Sequence, residues 1–154
     1  MEKSLQEIFA AKSICFGCGP ANEMGLKIGT FPVGEKETIA HFTPKPYQQA
    51  FPGVLNGVII GSLLDCHSNW TACWWLMKQG NLSEPPCTVT SEYSVKLRRP
   101  TPANQELTIK ARVASSEGDK VTIEAELLAG EKVCATCKGV FVAVKPEHPA
   151  YHSW

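Results

Sequence analysis

Polar and apolar residues alternate through the second half of the chain and give way to a dense apolar run in its middle. Val89, Ser91, Tyr93, Val95 and Leu97 alternate with Thr90, Glu92, Ser94, Lys96 and Arg98. Leu107, Ile109, Ala111 and Val113 alternate with Thr108, Lys110 and Arg112, and Val121, Ile123, Ala125 and Leu127 with Thr122, Glu124 and Glu126. Gly118-Asp119 marks the turn between the last two, and Val133 to Val144 predicts a final strand, apolar on both sides towards its end. A period of two gives each strand one buried and one wet face, the habit of an antiparallel sheet.

The middle run, from about Gly57 to Met77, is apolar on nearly every face and predicts a buried helix. Asn56 stands at its start, and Gly80, Asn81, Pro85 and Pro86 end it. Ahead of it, Ser4-Leu5-Gln6-Glu7 has capping-box spacing for a short helix to about Ala11. A Cys/Gly-rich turn follows at Cys15-Phe16-Gly17-Cys18-Gly19-Pro20. Alternation over Leu26, Ile28 and Thr30, and again over Ile39 to Phe42, predicts two early strands. The proline- and glycine-bearing stretch from Pro44 to Gly57 predicts a loop. The chain has no second βα unit, which argues against a doubly wound parallel sheet. The expectation is an α+β fold, a curved antiparallel sheet around a long central helix. Residues 1–154 make a single domain in this reading, with an N-terminal helix and turn over 1–25 and a tail over 145–154.

Composition narrows the function classes. A formal net charge of zero on 154 residues offers no basic excess for nucleic acid or an acidic membrane surface. The longest apolar stretch carries Asp65, His67 and Asn69, a poor membrane span, and the first residues lack the apolar segment of a secretory leader. A cytoplasmic location is the expectation. The seven cysteines are an odd number, which favours reduced thiols over a disulfide framework.

Asp65 is the residue that asks for chemistry. A carboxylate inside an apolar helix loses hydration, and partners or a raised pKa must compensate. On a helical wheel it shares its face with Val58, Gly61, Ser62, Ser68, Asn69 and Ala72, mostly small or polar. That narrow stripe suits a thin substrate, and it equally suits close helix packing with Asp65 hydrogen-bonded for structure. His67 falls on another face, with Ile60, Leu63 and Trp74, and reads as a core histidine. Asn56 reads as an N-cap, and the first-turn N–H groups also suit a developing negative charge. Trp70, Trp74 and Trp75 read as core or dimer packing rather than a ligand cage.

Two segments together resemble one family. Cys15-Phe16-Gly17-Cys18-Gly19-Pro20-Ala21-Asn22-Glu23-Met24-Gly25-Leu26 is similar to the opening of bacterial hot-dog-fold acyl-CoA thioesterases of the PaaI type. Phe51-Pro52-Gly53-Val54-Leu55-Asn56-Gly57-Val58-Ile59-Ile60-Gly61-Ser62-Leu63-Leu64-Asp65 is similar to their loop-to-helix segment, FPGxxHGGxxxxLLD. Leu97-Arg98-Arg99-Pro100-Thr101 looks like the end of the strand that follows. The resemblance implies a hot-dog fold and homodimers or dimers of dimers, with active sites at the subunit interface. It implies acyl-CoA as substrate, with neither cofactor nor membrane nor nucleic acid as partner. By the same resemblance Asp65 is the catalytic carboxylate, as general base or nucleophile, and the Gly57 N–H polarises the thioester carbonyl. Thr90 holds the attacking water in that scheme, Asn69 is placed to orient it, and the acyl group lies along Gly61. Arg98 or Arg99 is placed to meet the coenzyme A phosphates, one at most, since neighbours on a strand face opposite ways.

The chain departs from the pattern at three places. Asn56 stands where the family has histidine, Val58 where it has a second glycine, and Gln48 where an upstream histidine is common. Asn56 can hydrogen-bond but cannot carry a proton as histidine does; Val58 keeps its backbone N–H but adds bulk. A non-catalytic acyl-CoA or small-ligand binding protein on the same scaffold is therefore the second reading, and an acyl-CoA hydratase a third. The cysteine pairs argue for no metal. Cys15/Cys18 has ligand spacing, but Cys134/Cys137 lies in a predicted strand with its thiols on opposite faces, and the gap from Cys18 to Cys134 exceeds zinc-ribbon spacing.

Overall fold

The structure, a computed structural model, describes residues 1–151; His152 and Trp154 of the expected tail lie outside the described residues. Helix α1 (Leu5–Phe9) begins at the anticipated capping box: Glu7 N–H donates to Ser4 Oγ at 3.2 Å and Ser4 N–H to Glu7 Oε2 at 2.8 Å. Helix α2 (Gly57–Gln79) runs to a Gly80 cap, two residues beyond the expected end. The strands are β1 (Phe31–Pro32), β2 (Glu37–Phe42), β3 (Gln49–Phe51), β4 (Val54–Leu55), β5 (Thr88–Leu97), β6 (Leu107–Glu117), β7 (Lys120–Ala129) and β8 (Lys132–Ala143).

Six of them form one antiparallel sheet in the order β1-β2-β6-β7-β8-β5, and α2 packs across β5, β6, β7 and β8. This is the α+β hot-dog architecture. Its core joins Leu63, Leu64 and Trp70 of the helix to Ile109, Ile123, Leu127 and Phe141 of the sheet, all buried. No helix among the described residues is long and apolar enough to cross a membrane.

Three expectations need correction. The first early strand does not form. Leu26, Ile28 and Thr30 are buried as the alternation implied, but Lys27 between them has a left-handed backbone, φ 52°. The segment bonds to the N-terminal turn instead, Leu26 N–H to Phe16 O at 2.7 Å and Ile28 N–H to Gly17 O at 3.0 Å. The expected loop from Pro44 to Gly57 contains the β3–β4 hairpin, which turns at Gly53 with φ 82°. Strand β5 does not keep strict alternation. Its pairing with β8 passes from Thr90↔Phe141 to Glu92↔Val140, so Ser91 is a bulge residue. One extra residue switches the side-chain parity, and Thr90 then shares a face with Tyr93, Val95 and Leu97.

His67 is the core histidine its wheel position suggested. It is fully buried, with Nδ1 3.0 Å from Thr30 Oγ1 and Nε2 3.0 Å from Thr38 Oγ1. Burial pulls its pKa down to about 3, so the ring stays neutral. Gln6 donates to Thr30 Oγ1 and Thr38 pairs with Thr71, which extends the network from α1 through β2 to α2. Replacing the ring removes packing and takes one hydrogen-bond partner from each of two buried hydroxyls. His67→Ala should destabilise the fold by about 2–5 kcal/mol, read in urea as a lower midpoint at unchanged m-value.

Candidate active site

Four residues of α2, each one turn from the next, face successive residues of β5. Asn69 meets Thr88: the threonine hydroxyl donates to Asn69 Oδ1 at 2.6 Å, and Asn69 Nδ2 donates to the Thr88 carbonyl at 3.3 Å. Asp65 meets Thr90, whose hydroxyl donates to Asp65 Oδ1 at 2.7 Å. Gly61 lies under Tyr93, where a Cβ would stand 3.8 Å from the phenol oxygen, and Gly57 under Leu97, where a Cβ would stand 3.4 Å from Cδ1. Four helical residues advance about 6 Å and two strand residues about 6.6 Å, so the two elements keep step from Asn69 to Asp65. The Ser91 bulge then turns Tyr93 and Leu97 to the same side.

Asp65 is half-buried in this ladder. Burial raises its pKa; the Thr90 hydrogen bond acts against that rise, and negative charge on Cys15 adds to it. Among the described residues only Oδ1 has a hydrogen-bond partner, which leaves Oδ2 available to a water molecule. Tyr93 was absent from the sequence-based candidates, because strict alternation set it opposite Thr90. Its pKa is raised by burial and by the neighbouring charge of Asp65.

The start of α2 is capped from within. Asn56 Oδ1 accepts from Val58 N–H at 2.9 Å and Ile59 N–H at 3.3 Å. The Val58 N–H is engaged by this cap, and the Val58 side chain is 78% exposed. The N–H of Gly57 remains outside the cap. Gln48 is a loop staple, its Oε1 accepting from Lys45 N–H at 2.8 Å. Asn69 hydrogen-bonds Thr88 through both ends of its amide and so ties strand to helix.

Arg98 and Arg99 do not join Asp65. Arg98 Nε donates to Thr136 Oγ1 at 3.2 Å, and the side chain lines a groove of about 850 Å³ on the other face of the sheet, with Lys110, Arg112, Glu124 and Lys138. Arg99 is exposed past the end of β5. Cys134 and Cys137 also stay apart from the other cysteine pair. A different thiol joins that pair: Cys66, the residue after Asp65, lies with Cys15 and Cys18 so that all three Sγ atoms are within 4.8 Å of one another. The turn approaches so closely that a Cβ on Gly17 would collide with Cys66 Sγ. Hydrogen bonds from Cys18 and then Cys66 pull the Cys15 thiol well below the ordinary range.

A long helix wrapped by an antiparallel sheet is the hot-dog arrangement. A thioesterase superfamily protein from Shewanella loihica is 32% identical, with 82% of this chain and 98% of that one aligned and a TM-score of 0.66. The chain belongs to the hot-dog-fold acyl-CoA thioesterase superfamily. The same fold recurs in the E. coli PaaI protein from the phenylacetic acid degradation operon, at 17% identity over 78% of this chain and 81% of that one, TM-score 0.66. It recurs again in AziG of S. sahachiroi, at 16% identity over 78% and 93%, TM-score 0.65. No protein-family model matches the sequence, and no curated protein matches it.

The Asn56 cap gives a direct test of the site's foundation. Asn56→Ala should lower stability by about 1 kcal/mol, while Asn56→Asp, which keeps the acceptor, should stay within a few tenths of wild type. Thermal unfolding of the three proteins side by side measures both.

Proposed function

We propose that the protein is an acyl-CoA thioesterase whose active site is built between two copies of the chain. The single observation that carries this reading is the half-buried Asp65 carboxylate, held by Thr90 on one oxygen and with the other available to water. Asp65 acts as general base on that water, or attacks the thioester carbonyl directly to give an anhydride that water then opens. Its raised pKa strengthens it as a base near neutral pH. Thr90 is a positioning residue in this scheme, since its hydroxyl fixes the carboxylate.

The oxyanion needs a donor, and the Asn56 cap leaves Gly57 N–H for that role. Gly57 and Asp65 stand eight residues apart on one helix, about 12 Å along its axis. One carbonyl cannot touch both. Two copies can supply the pair if their α2 helices lie side by side and antiparallel, so that Gly57 of each approaches Asp65 of the other. The edge strand supports that pairing. β5 ends the sheet, and its helix-facing side presents Tyr93 and Leu97, 45% and 61% exposed, beside Val58 on α2. Exposed apolar side chains on an open edge mark an association surface. The acyl group would then run along Gly61, under Tyr93, with coenzyme A at the rim. Arg99 remains a candidate for its phosphates; Arg98 would serve only if a second copy brought its groove to the rim.

A deletion of the donor alone tests this. Proline suits the first helical position and has no N–H, so Gly57→Pro should leave the fold intact and lower kcat by about 10²–10³-fold. Asp65→Asn should lose activity at least as completely in a thiol-release assay over a range of acyl-CoAs. Mixing the two inactive chains should then restore about a quarter of wild-type activity, because half the dimers pair unlike chains and each of those carries one intact site. If the mixture stays inactive, the shared site is wrong. If wild type is as inactive as Asp65→Asn on every substrate yet binds acyl-CoA, the protein is a binding module on the same scaffold.

A further inference from the structure

The three thiols behind Asp65 supply no reacting group to the proposed hydrolysis. Cys15 and Cys18 come from the glycine-rich N-terminal turn and Cys66 from α2, fifty-one residues along the chain from Cys15. Their sulfur atoms converge without forming a disulfide. The Cys15–Cys66 Sγ separation is 3.8 Å, far longer than a disulfide bond of about 2.05 Å. A tetrahedral zinc centre with Zn–S bonds of about 2.3 Å places its sulfurs about 3.8 Å apart. The turn is shaped to bring them there: Gly17 permits the approach to Cys66, Gly19 N–H donates to Cys15 O at 2.9 Å, and the CxxC spacing supplies two sulfurs from one loop. Cys18 is buried and Cys66 half-buried, while Cys15 is exposed, so the cluster has two inner ligands and one side open to solvent.

We infer that Cys15, Cys18 and Cys66 form a three-thiolate zinc site whose fourth position is filled from solvent. Thiolates select thiophilic cations over magnesium or calcium, and zinc accepts four ligands without redox change. Binding forms three Zn–S bonds and releases to solvent whatever protons the thiols still hold. The site clamps the N-terminal turn to α2 beside the turn of helix that bears Asp65. The sequence concealed it because Cys66 belongs to no CxxC pair; the helix supplies the third ligand, and Cys134/Cys137 is a decoy.

The test reads metal, not activity. The full chain is purified without chelators, its zinc measured by elemental mass spectrometry, and the apoprotein, stripped and held reduced, is titrated with Zn²⁺ and with Co²⁺. Wild type and Cys137→Ser should hold one zinc per chain, and the cobalt form should show thiolate-to-cobalt charge-transfer bands with tetrahedral d–d bands. Cys66→Ser should weaken binding by more than about a hundredfold, since even groups that merely hydrogen-bond to metal ligands are worth 10- to 100-fold. Should Cys66→Ser fail to fold, alkylation mapping of wild type decides: zinc should protect Cys15, Cys18 and Cys66 together. Failure of the reduced wild type to take up either metal, or binding undiminished in a folded Cys66→Ser, overturns the site.

Discussion

Everything in the structure turns on placing one carboxylate inside a helix that is otherwise wrapped by apolar sheet. Asp65 lies between Leu64, which is fully buried, and Cys66, in the middle of α2. The face of α2 that houses the carboxylate is the one against the open-edged strand β5. The hydroxyl of Thr90 meets the carboxylate there, and small residues at Gly57 and Gly61 keep the same face shallow towards the helix start. The Ser91 bulge completes the arrangement, because without it Tyr93 and Leu97 would face away from the stripe they cover. One local irregularity in the strand thus serves a requirement set by one residue of the helix.

Much of this was legible in the sequence, for physical reasons. A twenty-three-residue helix with a single acid, and strands of regular period, leave few alternatives. The stripe of small residues around Asp65 follows from helical spacing alone. The order of elements also excluded a parallel sheet. What stayed hidden depends on contacts between distant segments. Period-two reasoning cannot see a bulge, so it placed Tyr93 on the wrong face. It also read Leu26 to Thr30 as a strand, because burial alternates there while the hydrogen bonds go to the turn at Phe16 and Gly17. A lone cysteine on a helix carries no sign of the loop that will reach it.

The residues that depart from the family pattern take on defined tasks. Asn56, where histidine is usual, caps two N–H groups with one oxygen and fixes the first turn. Asparagine is among the preferred cap residues and, unlike histidine, does not titrate. It also limits which donors can face a substrate. With the Val58 and Ile59 N–H groups satisfied internally, the proposed oxyanion role falls to Gly57. Gln48 does the same for its loop by binding Lys45 N–H. Neither substitution touches the hydrogen bond between Thr90 and Asp65.

The helix also separates two kinds of chemistry that are adjacent in sequence. Successive residues of an α-helix point about 100° apart, so Asp65 turns to β5 while Cys66 turns to the N-terminal turn. His67, a further step round, is locked between Thr30 and Thr38 in the dry core. Three consecutive side chains thus address the edge strand, the cysteine turn and the polar network beneath α1. Each fixes the rotation of the helix independently, and any twist that loosened one would strain the other two. In the proposed reaction the Asp65 carboxylate gains from that restraint, because orientation at the reacting atoms depends on how rigidly the supporting element is held.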